Sequence, residues 1–208
     1  MRDAFDELAR HQRTLRVGTC ARAPAWRLTS LIVEGFPGTI LSPVTEDERT
    51  LERDLFDRAV DLAITVRPMA LSTTLSLPLM TEDLYAFIPT DNPLSQRSEV
   101  SWLDLDGRAF LVMDTIGFWI GVAREGLPNA QIIEQHDENV FRQLSRTTDL
   151  ITFVTNQTTK EREGTCGSRV AVPISDASAH ATFHLTALRA APAHVREIMA
   201  WVRERTGE

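Results

Sequence analysis

The first 66 residues alternate between short apolar runs and stretches in which apolar side chains recur every three or four positions. The short runs are bounded by turn signals, and they predict a buried strand at residues 15–20 and two further strands at residues 39–44 and 61–66. The stretches between them predict two helices, with apolar faces formed by Leu28, Leu31, Ile32 and Gly35 in the first and by Leu51, Leu55, Phe56 and Ala59 in the second. This β-α-β-α-β order is typical of a parallel sheet covered by helices.

The second of these helices has a start signal of its own. Thr45 and Glu48 have the spacing of a capping box, in which each side chain accepts a hydrogen bond from the other residue's backbone amide. We therefore expect Thr45 to be the N-cap residue of this helix. The first helix is expected to end at residues 35–38, where two glycines and a proline lie close together.

The rest of the chain mixes the same two patterns less regularly. Strands are predicted at residues 84–88, 109–113, 149–155, 170–174 and 181–188, and helices at residues 118–125 and 139–145. A last helix is predicted from the spacing of Val195, Ile198, Met199 and Val202. A narrow apolar stripe predicts a helix over residues 1–13, and the polar, glycine-containing residues 158–168 predict an exposed loop.

The composition is that of an ordinary globular protein, with 43% hydrophobic and 25% charged residues. No apolar run approaches the roughly 18 residues of a membrane span. The charged N-terminus does not have the form of a secretory signal, so we expect a cytoplasmic protein. The net charge is −7 and Lys160 is the only lysine, so the chain offers no basic face with which to bind DNA by itself.

Candidate chemistry is sparse. The two cysteines and five scattered histidines form no metal-ligand motif, and we expect no metal and no cofactor. There is no nucleophile-elbow motif, and Asp61 and Asp83 have no partner base that the sequence can locate. We therefore expect no catalytic residues and a protein that is not an enzyme.

A series of short motifs resembles, in order and spacing, the effector domain of LysR-type transcription regulators. The motifs are Thr14-Leu15-Arg16-Val17-Gly18, Phe36-Pro37, Asp61-Leu62-Ala63-Ile64, Pro78-Leu79-Met80-Thr81-Glu82-Asp83-Leu84, Asn92-Pro93-Leu94 and Leu103-Asp104-Leu105-Asp106-Gly107. The resemblance covers residues 14 to about 205. It departs from the family pattern at residues 149–153, where a glycine-rich turn is usual.

The resemblance implies an α/β, two-lobed fold similar to the type 2 periplasmic binding proteins. Each lobe would be a mixed sheet flanked by helices, and two chain crossings would form the hinge. One lobe would consist of residues 14–85 and 175–208 and the other of residues 86–174, after a linker helix that ends within residues 1–13. The family's winged helix-turn-helix has no counterpart here, so DNA would be bound only through a domain that is missing from this chain.

The resemblance also implies a small-molecule effector held in a cleft between the lobes. In the first lobe the candidate contacts follow three strands, since ligands of open α/β sheets lie beyond the carboxyl ends of the strands. These candidates are Thr19, Cys20, Ala21, Thr45 and Arg67. The candidates of the second lobe are Thr115, Gly117, Phe118, Trp119, Thr152 and Phe153.

Structural roles compete with these assignments. Thr45 is also a helix cap, and Cys20 is also a small buried apolar residue. Phe118 and Trp119 are adjacent on a helix and point in different directions, so one belongs to the core and the other is free to line the cleft. Arg67 is either solvated or paired with a carboxylate of the ligand.

Several functions are compatible with this fold. The first is the sensing and dimerising domain of a regulator that forms a homodimer, with the apolar helix around residues 28–32 as a candidate contact. The alternatives are a solute-binding protein of a transport system, an enzyme acting on a metabolite, and a free-standing module that pairs with a full regulator. An exported solute-binding protein would carry a leader segment.

Overall fold

The computed structural model describes residues 14–159 and 166–207. The helix predicted over residues 1–13 lies outside these residues. The described chain packs into two compact units, one of residues 14–80 and 182–207 and one of residues 81–181.

The strands and helices of the described residues follow in chain order. The strands are β1 (Thr14–Thr19), β2 (Ile40–Thr45), β3 (Leu62–Thr65), β4 (Thr74–Pro89), β5 (Ala109–Met113), β6 (Gln131–Gln135), β7 (Thr152–Thr155), β8 (Arg169–Pro173) and β9 (His180–Leu188). The helices are α1 (Arg22–Gly35), α2 (Glu48–Phe56), α3 (Trp102–Leu105), α4 (Phe118–Gly126), α5 (Glu138–Thr147) and α6 (Ala193–Thr206). Strands β4 and β9 each contribute residues to both units.

The sheet of the first unit has the parallel centre that the sequence pattern predicts. Its strand order is β2-β1-β3-β9-β4, with β1 parallel to both β2 and β3. Strand β9 runs antiparallel to β3 and pairs His184 with Thr65. The carboxyl ends of β1, β2 and β3 therefore meet at one edge of the sheet.

Helices α1 and α6 pack together in the first unit. The predicted apolar faces of both helices are confirmed, since Leu28, Leu31, Ile32, Val195, Ile198, Met199 and Val202 are all buried. The indole nitrogen of Trp201 donates to the carbonyl of Leu31 at 3.2 Å, and a Cβ on Gly35 would lie 2.3 Å from the Trp201 ring. The buried face of α1 is therefore used inside the unit, and a dimer contact through this helix stays a prediction that concerns its outer surface.

The predicted capping box of α2 is also wrong. Asp47 is the N-cap, and its Oδ1 accepts hydrogen bonds from the backbone amides of Arg49 and Thr50, both at 3.0 Å. Thr45 is exposed and still belongs to β2. The helix ends at Phe56, which is 39% exposed, so the predicted core face of α2 is limited to Leu51 and Leu55.

The second unit contains two groups of strands. Strand β4 pairs antiparallel with β7 and β8, and β5 pairs parallel with β6. Part of its core is formed by Phe87, Leu111, Met113, Phe141, Val154 and Cys166. The sequence pattern missed β6, in which polar residues flank two adjacent isoleucines, and the first half of β4, where Leu75, Leu77 and Leu79 alternate with polar residues and with Pro78.

Arg169 ties the elements of this unit together. Its guanidinium donates six hydrogen bonds to backbone carbonyls, which belong to Phe87, Ser145, Thr148, Leu150 and Cys166. Burial lowers the pKa of Arg169 from its ordinary value. The predicted exposed loop is wrong at its far end, where Cys166 is fully buried; residues 160–165 lie outside the described chain.

Candidate functional site

The end of β1 forms a tight turn that uses the hydroxyl of Thr19. Thr19 Oγ1 donates to the carbonyl of Ala21 at 2.6 Å and accepts from the Ala21 amide at 3.3 Å. Thr19, Cys20 and Ala21 are all buried. In the described structure this hydroxyl therefore shapes the turn into α1.

The three strand ends are joined by backbone hydrogen bonds. The Cys20 amide donates to the carbonyl of Ile64, and the Glu46 amide donates to the carbonyl of Thr19, both at 3.1 Å. At β2, Thr45 is exposed at the same edge of the sheet. The fold thus brings together the first-unit candidates that lie far apart in the sequence.

The end of β3 is organised by Glu48, which sequence reasoning had assigned to the capping box. Glu48 Oε1 accepts from the backbone amides of Val66 at 2.6 Å and Arg67 at 3.1 Å, and Oε2 lies 3.3 Å from Arg67 Nε. Thr65 Oγ1 donates to the carbonyl of Arg67 at 2.7 Å, which holds the turn. Arg67 is paired with a carboxylate, as its chemistry favours, but the carboxylate belongs to the protein.

A cavity of about 410 Å³ lies beside this strand end within the first unit. Its wall has a charged side from α2 and an apolar side from the segment after β3. The lining residues are Glu48, Arg49, Glu52, Thr65, Arg67, Pro68, Met69, Ala70 and Leu71. Its volume falls in the range of about 300–1,000 Å³ that is common for small-molecule pockets.

In the second unit, α4 begins directly after Gly117, whose backbone conformation favours glycine. Gly117 has φ +62° and ψ −130°, a conformation that side chains with a Cβ rarely adopt. Thr115 lies in the 3-10 turn just before it. Trp119 is buried, while Phe118 is half-buried and makes an edge contact with the Trp119 ring at 5.1 Å. The expectation that one of the two aromatic residues belongs to the core is confirmed.

Trp119 contacts a buried carboxyl group that sequence reasoning missed. Its Nε1 donates to Glu82 Oε2 at 2.9 Å, and Glu82 is 2% exposed. Burial raises the pKa of Glu82, and hydrogen bonds from Thr155 and Trp119 oppose that rise. The neighbouring Asp83 pairs with His180 Nδ1, a partner that lies 97 positions away in the sequence.

Thr152 and Phe153 lie inside the second unit. Phe153 stacks on Phe110 with ring centroids 5.0 Å apart and meets the Trp102 ring edge-on at 6.2 Å. Thr152 is 1% exposed and pairs with Phe87 in the sheet. In the described structure both residues are therefore part of the packed interior of this unit.

The family model that matches is the LysR substrate binding domain, and the match covers residues 9–207. This chain belongs to the LysR substrate-binding domain family. It is accordingly an effector-sensing domain of a LysR-type regulator with the α/β fold of the type 2 periplasmic binding proteins. A search of curated proteins finds no match.

Solved structures of LysR-type regulators share the fold. The reduced OxyR regulatory domain from Pseudomonas aeruginosa is 17% identical with a TM-score of 0.69, and the match covers 91% of this chain and 92% of that chain. The regulatory domain of MetR from N. meningitidis is 15% identical with a TM-score of 0.70, over 92% and 93% of the two chains. A full-length OxyR variant from Pseudomonas aeruginosa is 15% identical with a TM-score of 0.70, over 98% of this chain and 74% of that chain.

Within the described residues, this LysR domain has no helix that is long and apolar enough to cross a membrane. No group of three or more His, Cys, Asp or Glu side chains in residues 14–159 and 166–207 is arranged to hold a metal ion.

Proposed function

We propose that this domain binds its small-molecule effector at the edge of the first unit's sheet where β1, β2 and β3 end. The observation that carries the proposal is the cavity of about 410 Å³ at the end of β3. In open α/β sheets, ligands bind beyond the carboxyl ends of the strands, because backbone amides and helix N-termini point there. Thr65 and Arg67 come from the strand end, and Glu48 and Arg49 come from the first turn of α2.

The proposed role is binding without catalysis, in the cytoplasm. The polar groups at the β1 and β3 ends are engaged in local hydrogen bonds, as those of Thr19, Glu48 and Thr65 illustrate. Such groups hold a site in shape but offer no activated nucleophile or base. The effector would act through its difference in affinity between two states of the regulator.

A metabolite panel screened by thermal shift tests the site. A ligand at one hundred times its Kd stabilises the folded chain by about 2.7 kcal/mol, which raises the Tm measurably. Ala70 lines the cavity and is exposed, so Ala70→Trp should obstruct the cavity and abolish the shift while leaving the fold intact. Ala200→Trp, at an exposed position of α6, is the matched control. Equal affinity of wild type and Ala70→Trp by calorimetry would overturn the proposed site.

We also propose that the domain forms a homodimer through the outer surface of α1 and β2. Trp26 and Val33 on α1 are 52% and 65% exposed, and Ile40 and Val44 on β2 are 56% and 44% exposed. Strand β2 is the edge of its sheet, so its outer backbone groups have no partner strand within the described part of the unit. A second copy would cover both the apolar side chains and the edge.

Sedimentation of single variants tests this dimer. Val33→Glu places a charge on the exposed side of α1 and should yield monomers with an unchanged circular dichroism spectrum. Leu103→Glu, at a position that is 88% exposed in the second unit, is the matched control and should remain dimeric. A dimer that survives Val33→Glu and Trp26→Glu would exclude this surface.

A further inference from the structure

The end of β3 has the groups of an anion receptor. Two successive backbone amides, of Val66 and Arg67, point to one acceptor, and the Arg67 guanidinium lies beside them. Converging amides with a nearby guanidinium are the usual means by which proteins bind carboxylates and phosphates. In a sensing domain, this is where the acid group of an effector would be expected to bind.

Glu48 already fills that receptor. One carboxylate oxygen accepts both amides, and the other faces Arg67 Nε at 3.3 Å. The side chain is 26% exposed, whereas that of Arg67 is 87% exposed, so the two amides contribute more to the binding of the carboxylate than the solvated guanidinium does. Glu48 also lies in the first turn of α2, where the helix dipole stabilises a negative charge.

The cavity beside Glu48 does not favour a second anion. Glu48 and Glu52 are one helical turn apart and line it together with Arg49 and Arg67, so its four charged side chains balance. The remaining wall is largely apolar and comes from residues 68–71, of which Met69 is buried and Leu71 is 50% exposed. A cavity of balanced charge with an apolar wall suits an uncharged ligand.

We infer that Glu48 is a specificity-determining residue, an internal carboxylate that occupies the anion position of β3 and restricts the site to effectors with an uncharged, largely apolar group there. This inference rests on the proposed effector site. A carboxylate effector would have to displace Glu48 from two hydrogen bonds, of 2.6 and 3.1 Å, and then lie beside its charge. An uncharged effector leaves these hydrogen bonds in place and contacts the apolar wall.

Removal of the Glu48 side chain should expose the receptor. In Glu48→Ala the amides of Val66 and Arg67 lose their acceptor, so sodium acetate should bind there and give saturable shifts of these two amide signals in a ¹H–¹⁵N correlation spectrum. Sodium chloride at equal ionic strength should not produce them. Wild type should show no saturable shift with acetate, and Glu48→Gln, which keeps an acceptor oxygen at the same distance, should resemble wild type.

The melting temperature provides a second test if Glu48→Ala folds poorly. If Glu48→Ala is destabilised, acetate should restore its Tm toward that of wild type, while acetamide, which has the same shape without the charge, should do so at least about tenfold less effectively. Failure of acetate to bind or to stabilise Glu48→Ala overturns the inference. Saturable acetate shifts at Val66 and Arg67 in wild type overturn it as well.

The outcomes separate this inference from the proposed function. An acid found by the metabolite panel to bind wild type at these amides refutes the role of Glu48 but supports the site. A panel in which Ala70→Trp binds every ligand as tightly as wild type refutes the site, while the acetate titration still reports on Glu48.

Discussion

The indole Nε1 of Trp119 donates a hydrogen bond to Oε2 of Glu82 at 2.9 Å, and each residue is 2% exposed. Glu82 lies on β4 and Trp119 in the first turn of α4, so this bond joins a strand to a helix inside the second unit. Burial raises the pKa of Glu82, and Asp83 adds repulsion in the same direction, so the folded state holds the proton of Glu82 more tightly than the unfolded chain does.

The stability contributed by protonated Glu82 should therefore be lost as the pH rises. The folded state binds more protons than the unfolded state between the ordinary value of 4.5 and the raised pKa, so the free energy of unfolding falls with increasing pH across that window. Glu82→Gln keeps an acceptor for Trp119 without a titrating group and should remove this part of the pH dependence. Urea unfolding from pH 4.5 upward measures it, and the exposed Glu125→Gln should retain the wild-type profile.

Replacement of Arg169 by lysine should destabilise the domain by about 2–4 kcal/mol. A lysine has three donors on one nitrogen and cannot reach the five carbonyl groups that the guanidinium joins. Arg142→Lys is the control, since Arg142 forms a long, exposed pair with Glu138 at 3.7 Å. Equal urea midpoints for the two variants would show that the carbonyl contacts do not stabilise the fold.

Two glycine replacements should change the stability of the domain in opposite directions. Gly35→Ala places a methyl group 2.3 Å from the Trp201 ring and should destabilise the domain by about 1–3 kcal/mol, because α1 and α6 must separate. Gly121→Ala adds a methyl group to α4 that meets no atom beyond the local helix backbone within 4 Å, and it should stabilise α4 by about 0.5–1 kcal/mol. Thermal unfolding of both variants measures these changes. If Gly121→Ala lost stability and Gly35→Ala did not, the close packing of α1 on α6 would be contradicted.

The N-cap of α2 distinguishes the structure from the sequence pattern. Asp47→Ala removes the acceptor of two backbone amides and should lower the Tm by roughly 2–4 °C, whereas Thr45→Ala should leave it unchanged. Hydrogen bonds from Thr50 lower the pKa of Asp47, so the stabilisation by this cap is present above the ordinary pKa and is lost as the pH falls through the lowered one. A larger loss of stability in Thr45→Ala than in Asp47→Ala would support the capping box predicted from the sequence.

Apolar periodicity was sufficient to predict most helices and the centre of the first sheet. It predicted the strands β1, β2 and β3 to within two residues and the buried faces of α1 and α6, because in these elements the apolar pattern is a local property of the sequence. It did not predict β6, in which two isoleucines lie between polar residues, or the start of α2. Thr45 and Asp47 are alternative N-cap residues two positions apart, and the backbone path decides between them.

The positions of the first-unit candidate loops could be predicted from the sequence, whereas their contacts could not, and the site itself stays a prediction. The rule that ligands lie beyond parallel strand ends selected the loops at Thr19, Thr45 and Arg67, and the fold brings these loops to one edge. The same reasoning could not detect Glu48, because its partners Val66 and Arg67 lie 18 and 19 positions away and a capping box explained the same residue. The only local signal for the role of Glu48 was its position, as an acidic residue in the first turn of a helix that follows a strand.

By itself, the sequence determined the elements whose apolar period is continuous, together with the family that their order and motifs indicate. Such patterns are local, since a side chain's place on a helix or strand depends only on its spacing from its neighbours. The tertiary structure alone decided which polar groups meet: Glu48 with the end of β3, Glu82 with Trp119, and Arg169 with five carbonyls. These contacts join residues far apart in the chain, and their strength depends on burial that only the packed fold provides.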